Sequence, residues 1–195
     1  MSFFSTLLVL FLLGTATALL ISTDWRLSVG SLGLQYLVAF LLVVGAWPLE
    51  LAAVKLVAGW MAAALLGYTQ LEAPPIAKAP EPSRSEISFR VLAAGLIALL
   101  VLGAAPRLDA WVTPISLAQA WGGLLLIGLG VLHIGLGSGI FSRVVGLLTL
   151  FAGFEIIYAA VEASTLVAGL LAMLNLGIVL VGAYLFSSPN MEPLE

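Results

Sequence analysis

FSRVVGLLTLFAGFEIIYAAVEA, Phe141 to Ala163, is the stretch on which the reading of the whole chain turns. It is apolar over a length that crosses a bilayer, since about 20 helical residues span roughly 30 Å of hydrocarbon. Arg143 stands near its start, just after a glycine-rich segment, and Glu155 stands near its middle. A charged side chain at that depth costs roughly 2.5–3.5 kcal/mol on insertion scales, so it is expected to face protein or water and to belong to a pathway or a polar pair.

The same apolar character runs through the chain. Of 195 residues, 62% are hydrophobic and only 9% are charged, and the mean hydropathy is +1.19. A water-soluble domain carries about a quarter charged residues. The expected fold is therefore an all-α polytopic membrane protein with about seven transmembrane helices. Cysteine is absent, which excludes disulfide staples, thiolate-held clusters and thiol catalysis on this chain. Seven Lys and Arg residues make no basic patch wide enough for nucleic acid. The glycines of GLGVLHIGLGSG, Gly128 to Gly139, follow an apolar helix rather than a strand and lack the downstream acid of a phosphate-binding loop. His133, Glu155 and Glu162 lie at unequal depths on two helices, which suits no metal. No catalytic residue, cofactor or metal site is expected.

The first expected helix covers Phe3 to Ile21 and is read as retained, because it lacks the basic start and small-residue cleavage signal of a secretory leader. A short polar turn, Ser22 to Leu27, precedes a second helix from Ser28 to Ala46. Pro48 reads as a first-turn residue of a third, Trp47 to Tyr68, in a tight hairpin with the second. QLEAPPIAKAPEPSRSE, residues 70–86, has the composition of an extended linker. The fourth helix is expected at Ile87 to Ala105, closed by Pro106, Arg107 and Asp109. Trp111 to Pro114 leads into a fifth at Ile115 to Gly135, whose Gly122, Gly123, Gly128 and Gly130 imply close packing. The sixth ends near Val161, the seventh is Ser164 to Phe186, and an acidic tail carries Glu192 and Glu195. The chain thus divides into a three-helix unit (1–69), the linker (70–86), a fourth helix with its turn (87–110), a second three-helix unit (111–187) and the tail (188–195). A rival count of six drops the first helix or lays the fourth in the interface.

Arg26, Lys78, Arg84, Arg90 and Arg143 fall on one side of the expected topology, and Arg107 stands alone in the opposite loops. The positive-inside rule then puts the N-terminus outside and the C-terminus in the cytoplasm.

Glu155 is expected near the bilayer midplane, with Glu162 two turns further on the same face, at the outer end. Hydrocarbon disfavours the charged form of such an acid, so Glu155 reads as a proton-exchanging step in an ion path, or else as a neutral acid hydrogen-bonded across a helix interface. For Glu162, contact with headgroup water is the simpler reading. Lys55 lies two turns from the outer end of the third helix and is expected to snorkel to the interface, with charge transfer across the membrane as the lesser alternative. His133 is a proton-exchanging candidate or a packing residue with one hydrogen bond. Asn175 and Gln35 are expected to make interhelical hydrogen bonds.

LLTLFAGFEIIYAAVEAS, Leu147 to Ser164, resembles the second helix of NuoK, a small membrane component of bacterial complex I, in which an arginine-bearing turn is followed by a glycine, an apolar residue and a glutamate, as in Gly153-Phe154-Glu155. It is also similar to MrpC, the related small component of Mrp-type antiporters. DWRLSVGSLGLQYLVAFLLVVGAWPLELAAVKLVAG, Asp24 to Gly59, is similar to the first half of hydrogenase-4 component E. Together these cover the whole chain, and Arg143 to Ala160 is the most specific part. The resemblance implies a C-terminal NuoK-like three-helix unit in a small subunit of the bacterial inner membrane. Its implied partners are large antiporter-like subunits in a complex that couples redox chemistry or an ion gradient to proton translocation, with lipid or quinone contact. Glu155 matches the family's intramembrane glutamate, and Arg26, Arg143 and Gln35 match positions in its turns and second helix. Two departures stand out. Asn175 is the polar residue where the next helix of the family carries a second acid, and Lys55 is about two turns earlier than the family's lysine. The resulting expectation is a non-catalytic subunit of a proton- or ion-translocating complex. The alternatives are a structural or assembly subunit of another inner-membrane complex, for example a photosynthetic one, and an independent carrier.

Overall fold

The computed structural model describes residues 2–72, 82–112 and 115–187. Seven helices follow in order: α1 Phe3–Ile21, α2 Trp25–Val43, α3 Leu49–Glu72, α4 Arg84–Trp111, α5 Leu117–Leu136, α6 Gly139–Val161 and α7 Thr165–Ser187. All seven are long and apolar enough to cross a membrane, so the chain is an all-α, multi-pass membrane protein. Each span satisfies its backbone internally, as hydrocarbon requires.

The helices form two facing rows. In one, α1, α2 and α3 lie side by side, and in the other α5, α6 and α7 do. Each row packs on the other through α1 with α5, α2 with α6 and α3 with α7. α4 stands at the open edge against α5 and α1 and is the least buried span. Consecutive helices run in opposite directions, so the α2–α3, α4–α5 and α6–α7 connections share one end of the bundle. The α5–α6 pair is the most closely packed. A Cβ added at Gly130 would lie 2.5 Å from the Leu150 backbone nitrogen, and one at Gly153 would lie 2.6 Å from the Gly123 carbonyl oxygen. At these positions the two backbones touch, as small residues permit.

Local sequence explains the ends, and corrects four expected boundaries. α2 begins at Trp25 rather than Ser28, because the Asp24 carboxylate caps it by accepting from the Arg26 N–H at 2.9 Å. α4 begins at Arg84, where Ser83 accepts from the Glu86 N–H, and α3 runs on to Glu72, so both ends of the expected 70–86 linker are helical. Its residues 73–81 lie outside the described residues, as do Thr113, Pro114 and the expected tail at 188–195. α4 also passes through Pro106, the residue expected to close it, and ends at Trp111. Pro106 removes one N–H near the end of the span, a loss that local adjustment in a membrane helix absorbs. Ser116 and Gln119 form a reciprocal capping box at the start of α5, and the Gln119 amide donates to the Leu42 carbonyl at 3.1 Å. The α5–α6 turn passes through Gly139, whose φ of 88° is a left-handed conformation open to glycine.

Candidate functional site

Four helices each send one side chain into a buried polar cluster. Lys55 of α3, Glu155 of α6, Asn175 of α7 and Tyr36 of α2 are 6%, 3%, 1% and 0% exposed. The Lys55 ammonium donates to Glu155 Oε2 in a buried ion pair. Asn175 Nδ2 donates to Glu155 Oε1 at 2.6 Å, and Tyr36 Oη donates to Asn175 Oδ1 at 3.2 Å. Each carboxylate oxygen therefore has a partner, as a buried acid requires.

Helix geometry explains the meeting. α3 descends from the α2–α3 connection, and α6 rises to the α6–α7 connection at the same end. At 1.5 Å per residue, Lys55 and Glu155 each lie about 9 Å below that end. One turn beyond Lys55, on the same face of α3, Gly59 makes room for the Tyr36 ring: a Cβ there would lie 2.3 Å from Tyr36 Cδ1. The absent side chain brings α2 close enough for the Tyr36 hydroxyl to reach α7.

Above the pair, the Trp47 indole N–H donates to the Glu162 carbonyl oxygen at 2.8 Å and joins the two connections. A cavity of about 10 Å³ lies between Trp47, Lys55, Glu155 and Asn175. Chemically, an amine and a carboxyl in contact can pass one proton between them, interconverting an ion pair and a neutral pair with no change in total charge. Asn175 holds the second carboxylate oxygen in place and cannot titrate.

The structure unites Lys55, Glu155 and Asn175 and leaves the other sequence candidates apart. Lys55 does not snorkel. It turns inward because Glu155 offers an opposite charge at matching depth, which the third helix viewed alone could not reveal. Glu162 is the exposed C-cap of α6, in extended conformation, so the helical face it was expected to share with Glu155 ends before it. His133 is buried toward the opposite end of α5, with Nε2 2.8 Å from Ser142 Oγ of α6. Gln35 is fully buried, and neither amide atom has a hydrogen-bond partner, contrary to the expected interhelical bond. Successive helical residues point about 100° apart, and the rotation that brings Tyr36 to α7 turns Gln35 elsewhere. No group of three or more His, Cys, Asp or Glu residues suited to a metal occurs among the described residues.

Sequence reasoning missed Tyr36 and Trp47. The signal for Tyr36 was a hydroxyl at a depth close to that of Asn175, and for Trp47 an indole beside a helix-starting proline. No known family, curated protein or solved structure matches the chain.

Proposed function

We propose that this chain is a non-catalytic membrane subunit of a multisubunit proton- or ion-translocating complex related to complex I or membrane-bound hydrogenase, in which Glu155 takes part in coupling. The observation that carries this reading is the enclosure of Lys55 and Glu155 as a pair inside the bundle. Replacing a buried ion pair by well-packed apolar residues is often neutral or stabilising by about 1–4 kcal/mol, so fold stability alone gives no reason for the pair. Ionisable residues within a membrane point first to function. α5, α6 and α7 correspond to the NuoK-like unit, in a bacterial inner membrane with the N-terminus outside and the C-terminus cytoplasmic. Glu162 and His133 lie away from the cluster, so the rest of an ion path would come from large antiporter-like partner subunits.

Purification of the intact complex with Glu155→Gln, followed by pumping measurements in vesicles, tests this. Pumping per assembled complex should fall. An unaltered pumping rate and stoichiometry would defeat the proposal. A purely structural or assembly role is the second reading, favoured by the bond that each Glu155 oxygen accepts from a neighbouring helix. It predicts that Glu155→Gln loosens the complex and leaves the pumping of whatever remains assembled intact.

A further inference from the structure

Trp47 belongs to the connection between α2 and α3, yet it is only 5% exposed, whereas Ala46, Pro48 and Leu49 beside it are exposed. Its ring forms one wall of the cavity of about 10 Å³ over the ion pair. The other lining residues all lie within α3, α6 or α7. Trp47 is thus the wall that belongs to a connection rather than to a transmembrane helix. Its indole N–H is fastened to the Glu162 carbonyl of the other connection, whose Glu162 and Ala163 are exposed.

The cavity's volume stands at the lower limit for one water, and Lys55 and Glu155 are among its lining residues. A water needs roughly 10–15 Å³ of such space and two to four polar partners. Lys55 has three ammonium donors, and each carboxylate oxygen of Glu155 has two acceptor positions. The bonds described above use one donor of Lys55 and one position on each Glu155 oxygen, so capacity for a water remains on both.

We propose that this cavity is a single-water site and that Trp47 is the side chain that closes it against the end of the bundle carrying the α2–α3 and α6–α7 connections. When the indole leaves Glu162 and swings outward, Lys55 and Glu155 gain contact with solvent from that end. That this contact supplies protons rests on the function proposed above. The access itself does not.

The natural absence of cysteine permits a direct test. Ala168 is buried and lines the cavity, so an Ala168→Cys thiol reports access to it, read as the labelling rate with a small, polar, membrane-impermeant thiol reagent. With Trp47 intact, labelling should be slow. In Ala168→Cys/Trp47→Ala it should rise about tenfold or more, because labelling of a protected site tracks its open population. Trp47→Phe, which keeps one aromatic ring and loses the N–H bond, should give an intermediate rate. Ala152→Cys, buried within α6, should stay unlabelled throughout and certifies that the bundle is folded. Equal rates with and without the Trp47 side chain would overturn the proposal, as would fast labelling of Ala168→Cys with Trp47 intact. The latter decides the matter even if both Trp47 variants misfold. Because the readout is thiol access, its failure is distinct from unchanged pumping in Glu155→Gln.

Discussion

Lys55 and Glu155 lie 100 residues apart in the chain and meet as an ion pair between α3 and α6. Neither has any other charged partner among the described residues. Removal of either one leaves a buried charge uncompensated, which costs about 3–5 kcal/mol. Lys55→Met and Glu155→Leu should each destabilise the purified chain by that order in denaturant unfolding. The double variant should return close to the parent or exceed it. Additive losses in the double variant would mean that the two side chains do not act as a pair.

Asn175 bridges Tyr36 and Glu155, so its removal should cost more than removal of the tyrosine hydroxyl. Tyr36→Phe loses one bond, about 0.6 kcal/mol by the average for hydrogen bonds inside membrane proteins. Asn175→Ala leaves Glu155 Oε1 and the Tyr36 hydroxyl both without their partner, a loss of about 1–3 kcal/mol for each unsatisfied group. Unfolding midpoints of the two variants, measured side by side, check the order.

The glycines fall into two classes. An alanine Cβ at Gly130 or Gly153 would meet backbone at 2.5 Å and 2.6 Å, and overpacking of this kind costs about 1–3 kcal/mol or more. Gly95 and Gly103 of α4 have no atom within 4 Å of that position. There alanine should be neutral or stabilise by up to about 1 kcal/mol through helix propensity. Thermal inactivation in detergent should separate the two pairs.

Gln119→Ala removes the reciprocal half of the capping box, the bond its side-chain oxygen accepts from the Ser116 N–H, together with the tie to the Leu42 carbonyl. Each lost hydrogen bond costs about 0.5–1.5 kcal/mol. Early hydrogen exchange at the start of α5, with the rest of the helix protected, is the expected signature.

Most of the fold is legible in the sequence, because hydrocarbon thickness forces long apolar runs that punctuate themselves. Hydropathy alone delimits α1 at Phe3 and Ile21. Boundaries shift where a short side chain outranks hydropathy, as Asp24 does in starting α2 early, or where Pro106 reads as a stop that a membrane helix tolerates. The site is only half visible. Glu155 declares itself by its cost, but a lysine two turns from a helix end reads as a snorkelling residue until the partner helix is placed. Depth offers a usable clue: Lys55 and Glu155 stand six residues from helix ends that share one side of the bundle. The direction of each side chain around its helix is not readable, which is why Tyr36 rather than Gln35 reaches α7.

The wide separation of the two charges along the chain bears on how the protein is made. α3 leaves the ribosome well before α6, so during synthesis the amine has no counterion inside the bilayer. Until α6 arrives, the long methylene stem lets the Lys55 head lean toward the start of α3, about 9 Å away along the helix axis. The snorkelling posture that the finished protein abandons is therefore the natural resting place of Lys55 in the nascent chain, and arrival of the glutamate draws it inward. Maturation of this bundle includes the burial of a cation.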